Sequence, residues 1–245
     1  MDKFLYVAMS GAKETLRAQS ANSHNLANAS TNGFRADLSA FQSRAVTGSG
    51  YASRVYATNS TTGWDQSVGA QMSTGRDLDI AINGDGFIAV QGRDGREAYT
   101  RAGDLMVDAN GQLMTKTGLP VLGDGGPLSV PPNNSLSIAP EGTISIVPQG
   151  QGPETTASIG RIKLVNPGNT NLDRGEDGLF RMRDGSDAPP EANVRITTGA
   201  LEASNVNAAQ AMVNMIELAR NFEMQVKVMK SAEENGAVSA QLLRS

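Results

Sequence analysis

The chain has 245 residues, a formal net charge of −4, 39% hydrophobic and 4% aromatic residues, and no cysteine. The missing cysteine excludes a disulfide framework, a thiolate metal site and a cysteine nucleophile. An acidic total with scattered basic residues argues against nucleic acid as a partner, and no run approaches the ~18 apolar residues of a membrane span.

The N-terminus predicts a long helix over residues 2–31. Met1-Asp2-Lys3 followed by Phe4-Leu5-Tyr6-Val7-Ala8-Met9 faintly imitates a signal peptide. The apolar run is too short, however, and Asp2 occupies the would-be basic region, so no cleavage is expected. Leu5, Met9, Ala12, Leu16, Gln19, Ser23 and Leu26 follow a 4-3-4-3-4-3 spacing, a heptad-like stripe. Asp2 is placed to cap the helix start, and Asn32-Gly33 to close its end through a left-handed glycine. A lone helix with so few large side chains is marginal in water. Asn22, Asn25 and Asn28 read either as a solvated face or as residues fixing register at a helix–helix seam.

Residues 36–75 are rich in Ser, Thr, Gly and Ala, lack periodicity, and predict an extended linker or loop. From residue 76 the pattern becomes β-like. Leu78-Asp79-Ile80-Ala81-Ile82 alternates, Asn83-Gly84-Asp85-Gly86 turns, and Phe87-Ile88-Ala89-Val90 returns, which predicts a hairpin. Further turns are expected at Arg93-Asp94-Gly95, Asp108-Ala109-Asn110-Gly111, Gly123-Asp124-Gly125-Gly126 and Pro131-Pro132. Short strands are expected at 119–122, 136–139, 143–147, 160–165 and 178–182. Such spacing suggests an antiparallel β-rich domain.

A second long helix is predicted over roughly 205–243. Asn207 reads as its N-cap, with Gln210 three residues on as in a capping box. Ala208, Ala211, Met215, Leu218, Phe222, Met229 and Ala232 form one stripe, interrupted by Gln225. Met212, Ile216, Ala219 and Val226 form a second beside it. The combined apolar face is wider than one partner helix requires. The expected fold class is therefore α+β: paired long N- and C-terminal helices, coiled-coil-like, plus a central antiparallel β-rich domain. The expected domains are 1–35 with 201–245 as a helical assembly domain, 36–75 as linker, and 76–200 as the β-rich domain. A chain that keeps its best helices for its two ends reads as an assembly subunit rather than an enzyme.

Catalytic chemistry is hard to place. The single histidine, His24, lies in mid-helix beside Ser23, and adjacent helical residues do not face each other. No His-Glu-x-x-His, phosphate-binding loop or Gly-x-Ser-x-Gly element occurs. The Asp/Gly clusters lack the calcium-loop run with its later glutamate, and turn chemistry accounts for them. No enzyme activity, cofactor or metal is expected.

Three blocks carry a family resemblance. They are Asn25-Leu26-Ala27-Asn28-Ala29-Ser30-Thr31-Asn32-Gly33-Phe34; then Gly84-Asp85-Gly86-Phe87 with Tyr99-Thr100-Arg101-Ala102-Gly103 and Asn110-Gly111-Gln112-Leu113; and Gly199-Ala200-Leu201-Glu202-Ala203-Ser204-Asn205-Val206 with Met212-Val213-Asn214-Met215-Ile216, Arg220 and Phe222. Together, in this order and across nearly the whole chain, they resemble the bacterial flagellar rod and hook proteins. Met1-Asp2, Tyr6 and Ala8-Met9 fit proximal-rod members better than distal-rod ones, as do Gly160-Arg161-Ile162-Lys163-Leu164-Val165 and Asp177-Gly178-Leu179-Phe180-Arg181. Asn207 departs slightly, because relatives often carry an acidic cap there.

The resemblance implies terminal helices that pair into an inner domain, and subunits that stack helically into a hollow axial rod across the periplasm. It implies export through the flagellar type III apparatus without a cleaved signal peptide. Its implied partners are other copies of the chain, other rod proteins and that apparatus, with no nucleic acid and no membrane insertion. The expected assembly residues are Leu5, Met9, Leu16, Asn25, Leu26, Asn28, Met212, Met215, Leu218, Phe222 and Met229. Three other readings compete: a secreted β-rich adhesin, calcium-stabilised; a carboxylate hydrolase with a deep acidic pocket; and another rod or hook paralogue, such as a distal-rod member.

Overall fold

The computed structural model describes residues 3–45, 55–152, 154–168 and 171–242. The expected Asp2 cap lies outside them. The chain divides into two compact units. The first comprises Met1–Ala29, Ala36–Asp65 and Val206–Ser245, and the second comprises Ser30–Arg35 and Gln66–Asn205.

The first unit holds the two helices found among the described residues, α1 (Lys3–Ala27) and α2 (Ala208–Leu242), and a ribbon of β1 (Asp37–Ala45) paired antiparallel with β2 (Val55–Trp64). This ribbon occupies much of the segment expected to be linker. Its Ser/Thr-rich sequence hides the strand period, and the pairing shifts register between Leu38 and Ser39. At the start of α2, the Gln210 N–H donates to Asn207 Oδ1 at 3.1 Å, as an N-cap requires. Gln210 does not reach back to complete the box; its side-chain amide donates instead to Asn214 Oδ1 at 2.9 Å. α1 stops at Ala27, short of the expected Asn32-Gly33 end. The run Asn28 to Asn32 supplies side chains that compete for backbone groups. Asn28 Nδ2, for example, donates to the His24 carbonyl at 2.9 Å.

The expected coiled-coil-like pair of long helices is not what forms. The helices are unequal, 25 and 35 residues. The apolar residues they bury are small: Ala8, Ala12 and Ala18 on α1, Ala211 and Ala232 on α2. Of the large members of the predicted stripes, Leu5, Met9, Leu16, Met212 and Ile216 face solvent, and Leu26, Met215, Leu218, Phe222 and Met229 are only half-buried. Knobs-into-holes packing needs large a and d side chains buried at the seam, and here the fully buried apolar residues of both helices are alanines. A glycine on α1 shows how close the approach is: a Cβ built on Gly11 falls 3.0 Å from the Gln225 side chain. Apolar spacing locates a helix face but not the size of what that face will bury. The α+β class therefore holds only in part: the strands are concentrated in a β-rich central unit.

The second unit is built of short antiparallel strands. A five-stranded sheet runs β14 (Leu164–Val165), β5 (Phe87–Gln91), β6 (Glu97–Thr100), β16 (Phe180–Met182), β15 (Leu172–Arg174). A three-stranded sheet runs β11 (Asn133–Ile138), β12 (Thr143–Pro148), β13 (Ala157–Arg161). Smaller ladders join β3 (Gln71–Ser73) to β18 (Ala200–Glu202), β4 (Ile80–Asn83) to β17 (Arg195–Thr198), β7 (Leu105–Val107) to β8 (Leu113–Thr115), and β9 (Leu122–Gly123) to β10 (Gly126–Pro127). One core of Ile80, Ile82, Ile88, Val90, Leu105, Leu113, Val121, Ile144, Ile162 and Ile196 joins the sheets.

The expected hairpin of 78–82 with 87–90 does not form. β4 pairs with β17 and β5 with β6 and β14. Ile80, Ala81 and Ile82 are all buried, so β4 is covered on both faces, and alternation alone does not choose its partner. The Asp/Gly turns behave as turns. Asp108 Oδ1 accepts the N–H groups of Asn110 at 2.8 Å and Gln112 at 2.9 Å, which occupies lone pairs a cation would need. The Gln112 N–H, followed by Asn110, holds this carboxyl below the ordinary aspartate value.

Candidate assembly interface

Within the first unit, the expected assembly residues fall into three groups. Leu5, Met9, Leu16 and Met212 are exposed, and Val213, Ile216, Met224 and Val226 on α2 join them. A further apolar set, Leu38 and Phe41 on β1, is also exposed. Leu26, Met215, Leu218, Phe222 and Met229 are half-buried. The asparagines are engaged inside the unit. Asn25 Nδ2 donates to the Asp37 carbonyl at 3.0 Å while its Oδ1 accepts the Asp37 N–H at 2.8 Å, a reciprocal pair that fixes the root of β1 on α1. Asn28 closes its own helix end. Asn22 is buried and donates to the Ala211 carbonyl at 2.7 Å, joining α1 to α2. His24 Nδ1 lies 2.6 Å from Asp37 Oδ2.

A groove of about 440 Å³ opens in this unit, lined by Ala21, Asn22, Leu38, Phe41 and Leu218 among others. The unit thus presents both exposed apolar side chains and a recess lined by apolar and polar side chains together. Exposed large apolar side chains gathered on two helices and a ribbon mark a surface that another surface covers more often than one left in water.

A second cluster, in the other unit, was not anticipated. Glu202 is 1% exposed and its carboxylate holds two guanidinium groups. Its Oε1 accepts from Arg35 at 2.8 Å, and its Oε2 from Arg101 at 2.7 Å. Oε1 also accepts the Gly69 N–H at 3.0 Å, and the Glu202 carbonyl accepts the Gly33 N–H at 2.8 Å. Arg101 makes a further bond to the Gly84 carbonyl at 2.5 Å. Phe34 lies beneath the Arg174 guanidinium, 4.4 Å from ring centre to carbon, and Arg174 also donates to the Arg35 carbonyl at 2.7 Å.

Two glycines permit this closeness. Gly33 has φ +68°, and a Cβ there falls 2.3 Å from the Arg101 backbone. A Cβ on Gly69 falls 1.9 Å from the Ala203 carbonyl. Gly33 is therefore a docking residue rather than the helix stop expected of it. Each of the three sequence blocks contributes here: Gly33 and Phe34, Arg101, and Glu202. The visible signal was Glu202 itself, the one charged residue in the run Gly199 to Val206.

Among the described residues no group of three or more His, Cys, Asp or Glu is arranged to hold a metal ion, and no helix is long and apolar enough to cross a membrane.

Three family models match the chain in order. Flagella basal body rod protein covers residues 5–35, the flagellar hook protein FlgE/F/G D1 domain covers 81–146, and the flagellar basal body rod FlgEFG protein C-terminal region covers 197–242. The flagellar basal-body rod proteins FlgF of Salmonella typhimurium and Escherichia coli are each 44% identical to it, over 99% of both chains. The rod protein FlgG of Buchnera aphidicola from Acyrthosiphon pisum is 33% identical over 91% of this chain and 94% of its own. The chain belongs to the flagellar basal-body rod family, with the FlgF proteins, and is a structural subunit of that rod.

Proposed function

We propose that the helical unit joins this chain to other copies of itself and to other proteins of the proximal and distal rod, building the hollow drive shaft that transmits torque. The observation that carries this reading is the outward apolar set of Leu5, Met9, Leu16, Met212, Ile216 and Met224, while the apolar residues the helices bury fully are alanines. The groove bordered by Leu38, Phe41 and Leu218 offers a complementary surface on the same chain. A protrusion on one copy meeting a recess on the next is a heterologous contact, and such contacts extend into helical filaments when the rotation does not close. The half-buried Met215, Leu218, Phe222 and Met229 tighten as a neighbour covers them.

In this reading the chain works in the periplasm and catalyses nothing. It leaves the cytoplasm through the flagellar type III apparatus, uncleaved. Helices that are marginal alone suit passage in an unfolded state, and the free energy of covering their apolar faces is then released at the assembly site.

The test is Met212→Asp with Ile216→Asp, both at exposed positions. Purified hook–basal bodies should lack the variant by mass spectrometry and cells should not swim in soft agar, while the isolated variant melts as the parent does. Incorporation at the parent level would overturn the interface. Leu16→Asp repeats the test on α1.

A further inference from the structure

Covalently, the two units are joined at four passages: 29/30, 35/36, 65/66 and 205/206. Inside the second unit, each passage is tied within a few residues to Glu202 or Asn205. After 29/30, the Gly33 N–H donates to the Glu202 carbonyl at 2.8 Å. Before 35/36, Arg35 is ion-paired to Glu202 at 2.8 Å, with 2% of its side chain exposed. After 65/66, the Gly69 N–H donates to Glu202 Oε1 at 3.0 Å, and Asn205 Nδ2 donates to the Ser67 carbonyl at 3.0 Å. Before 205/206, the Asn205 N–H donates to the Phe34 carbonyl at 3.3 Å.

We propose that Glu202 is a mechanical clasp: one buried carboxylate, together with Asn205, binds together the chain segments by which the β unit is covalently joined to the helical unit. Thermal stability alone does not call for this arrangement. Replacing a buried ionic triad by apolar residues is often neutral or stabilising. Charge-assisted bonds to a planar guanidinium are short and directional, so they resist displacement along the chain where a greasy contact would slide. Arg101 anchors the clasp to the body of the unit through the Gly84 carbonyl. Glu202 here is a positioning residue. It keeps the segments 33–35, 67–70 and 202–205 together when the chain ends are pulled, so the β unit holds as one piece instead of unzipping at these segments. The importance of the clasp to torque rests on the rod reading above, but its resistance to force belongs to the single chain and is tested there.

The chain has no cysteine, so Ala29→Cys and Val206→Cys give two unique handles on the full chain for an optical trap. At a fixed force, Glu202→Gln should raise the opening rate of the β unit by at least about tenfold, the equivalent of ~1.4 kcal/mol of barrier. Glu97→Gln is the control. Glu97 forms a largely buried pair with Lys163 at 2.8 Å, at sequence positions remote from every passage. Compared at equal loss of melting temperature, it should leave the opening rate under force near the parent value. An unchanged opening rate in Glu202→Gln, or an equal acceleration in Glu97→Gln, would overturn the clasp. Should Glu202→Gln fail to fold, Arg101→Lys carries the same test, because it keeps the charge and loses the planar fork. If rods fail to need the helical interface yet the clasp holds under force, the rod reading falls and the clasp stands.

Discussion

Glu202→Gln also has a thermodynamic consequence that can be worked through. The substitution keeps the volume and one carbonyl oxygen, but it leaves the guanidinium groups of Arg35 and Arg101 in a site where both are nearly inaccessible. Removing one partner from a buried pair costs about 3–5 kcal/mol, because the remaining charge stays buried. We take ~4 kcal/mol, since a single carboxylate serves both cations here. The β unit has roughly 150 residues, and unfolding entropy near 60 °C is about 2.1 cal/mol/K per residue. That gives ~0.3 kcal/mol/K, so the melting midpoint should drop by about 13 °C. The assay is calorimetric melting of the full chain at two ionic strengths, about 0.05 M and about 0.5 M, where surface pairs are screened and buried ones are not. The drop should be the same at both. The triple change Arg35→Met, Arg101→Met, Glu202→Leu should recover much of it, by removing the charges as well as their partner. A drop below about 3 °C, near 1 kcal/mol, would refute the reasoning, as would one that halves at high salt.

Two further outcomes follow from named bonds. Asn22→Ala removes the amide that donates to the Ala211 carbonyl across the helices, and should lower helical stability by about 1 kcal/mol in a denaturant titration followed by far-ultraviolet circular dichroism; an unmoved midpoint would show that water replaces the bond at no cost. Acid should weaken the β unit through its turn carboxylates. Asp108 is held below its ordinary 3.8 chiefly by the Gln112 N–H, and Asp177 likewise by the Arg181 side chain. Depressed carboxyl values mean stability that is complete above about pH 4 and lost as pH falls through the folded values. The melting midpoint should therefore bend downward below about pH 4. Asp108→Asn, which keeps the acceptor oxygen, should make that bend shallower, and a profile superimposable on the parent's would contradict the assignment.

What the sequence determined is what neighbouring residues settle among themselves. The two helices, the Asn207 cap and the Asp-Gly turns depend on contacts within a few positions, and each is visible in local spacing. Residues 143–148 show a strand for the same reason. The three sequence blocks identify the family because they lie in order along the chain. Tertiary structure decided everything that depended on a partner far away. β4 goes to β17 rather than to β5 because it is covered on both faces, and periodicity does not name a partner for such a strand. The Ser/Thr ribbon of β1 and β2 carries no apolar alternation to reveal it. The helices fully bury alanines and leave larger residues half-buried or exposed, which a count of apolar positions treats alike. Glu202 reads as an ordinary acid until Arg35, 167 positions away, and Arg101, 101 positions away, are folded onto it. A carboxylate can be buried at that place only because two cations arrive from elsewhere to hold it, and only the fold brings them there.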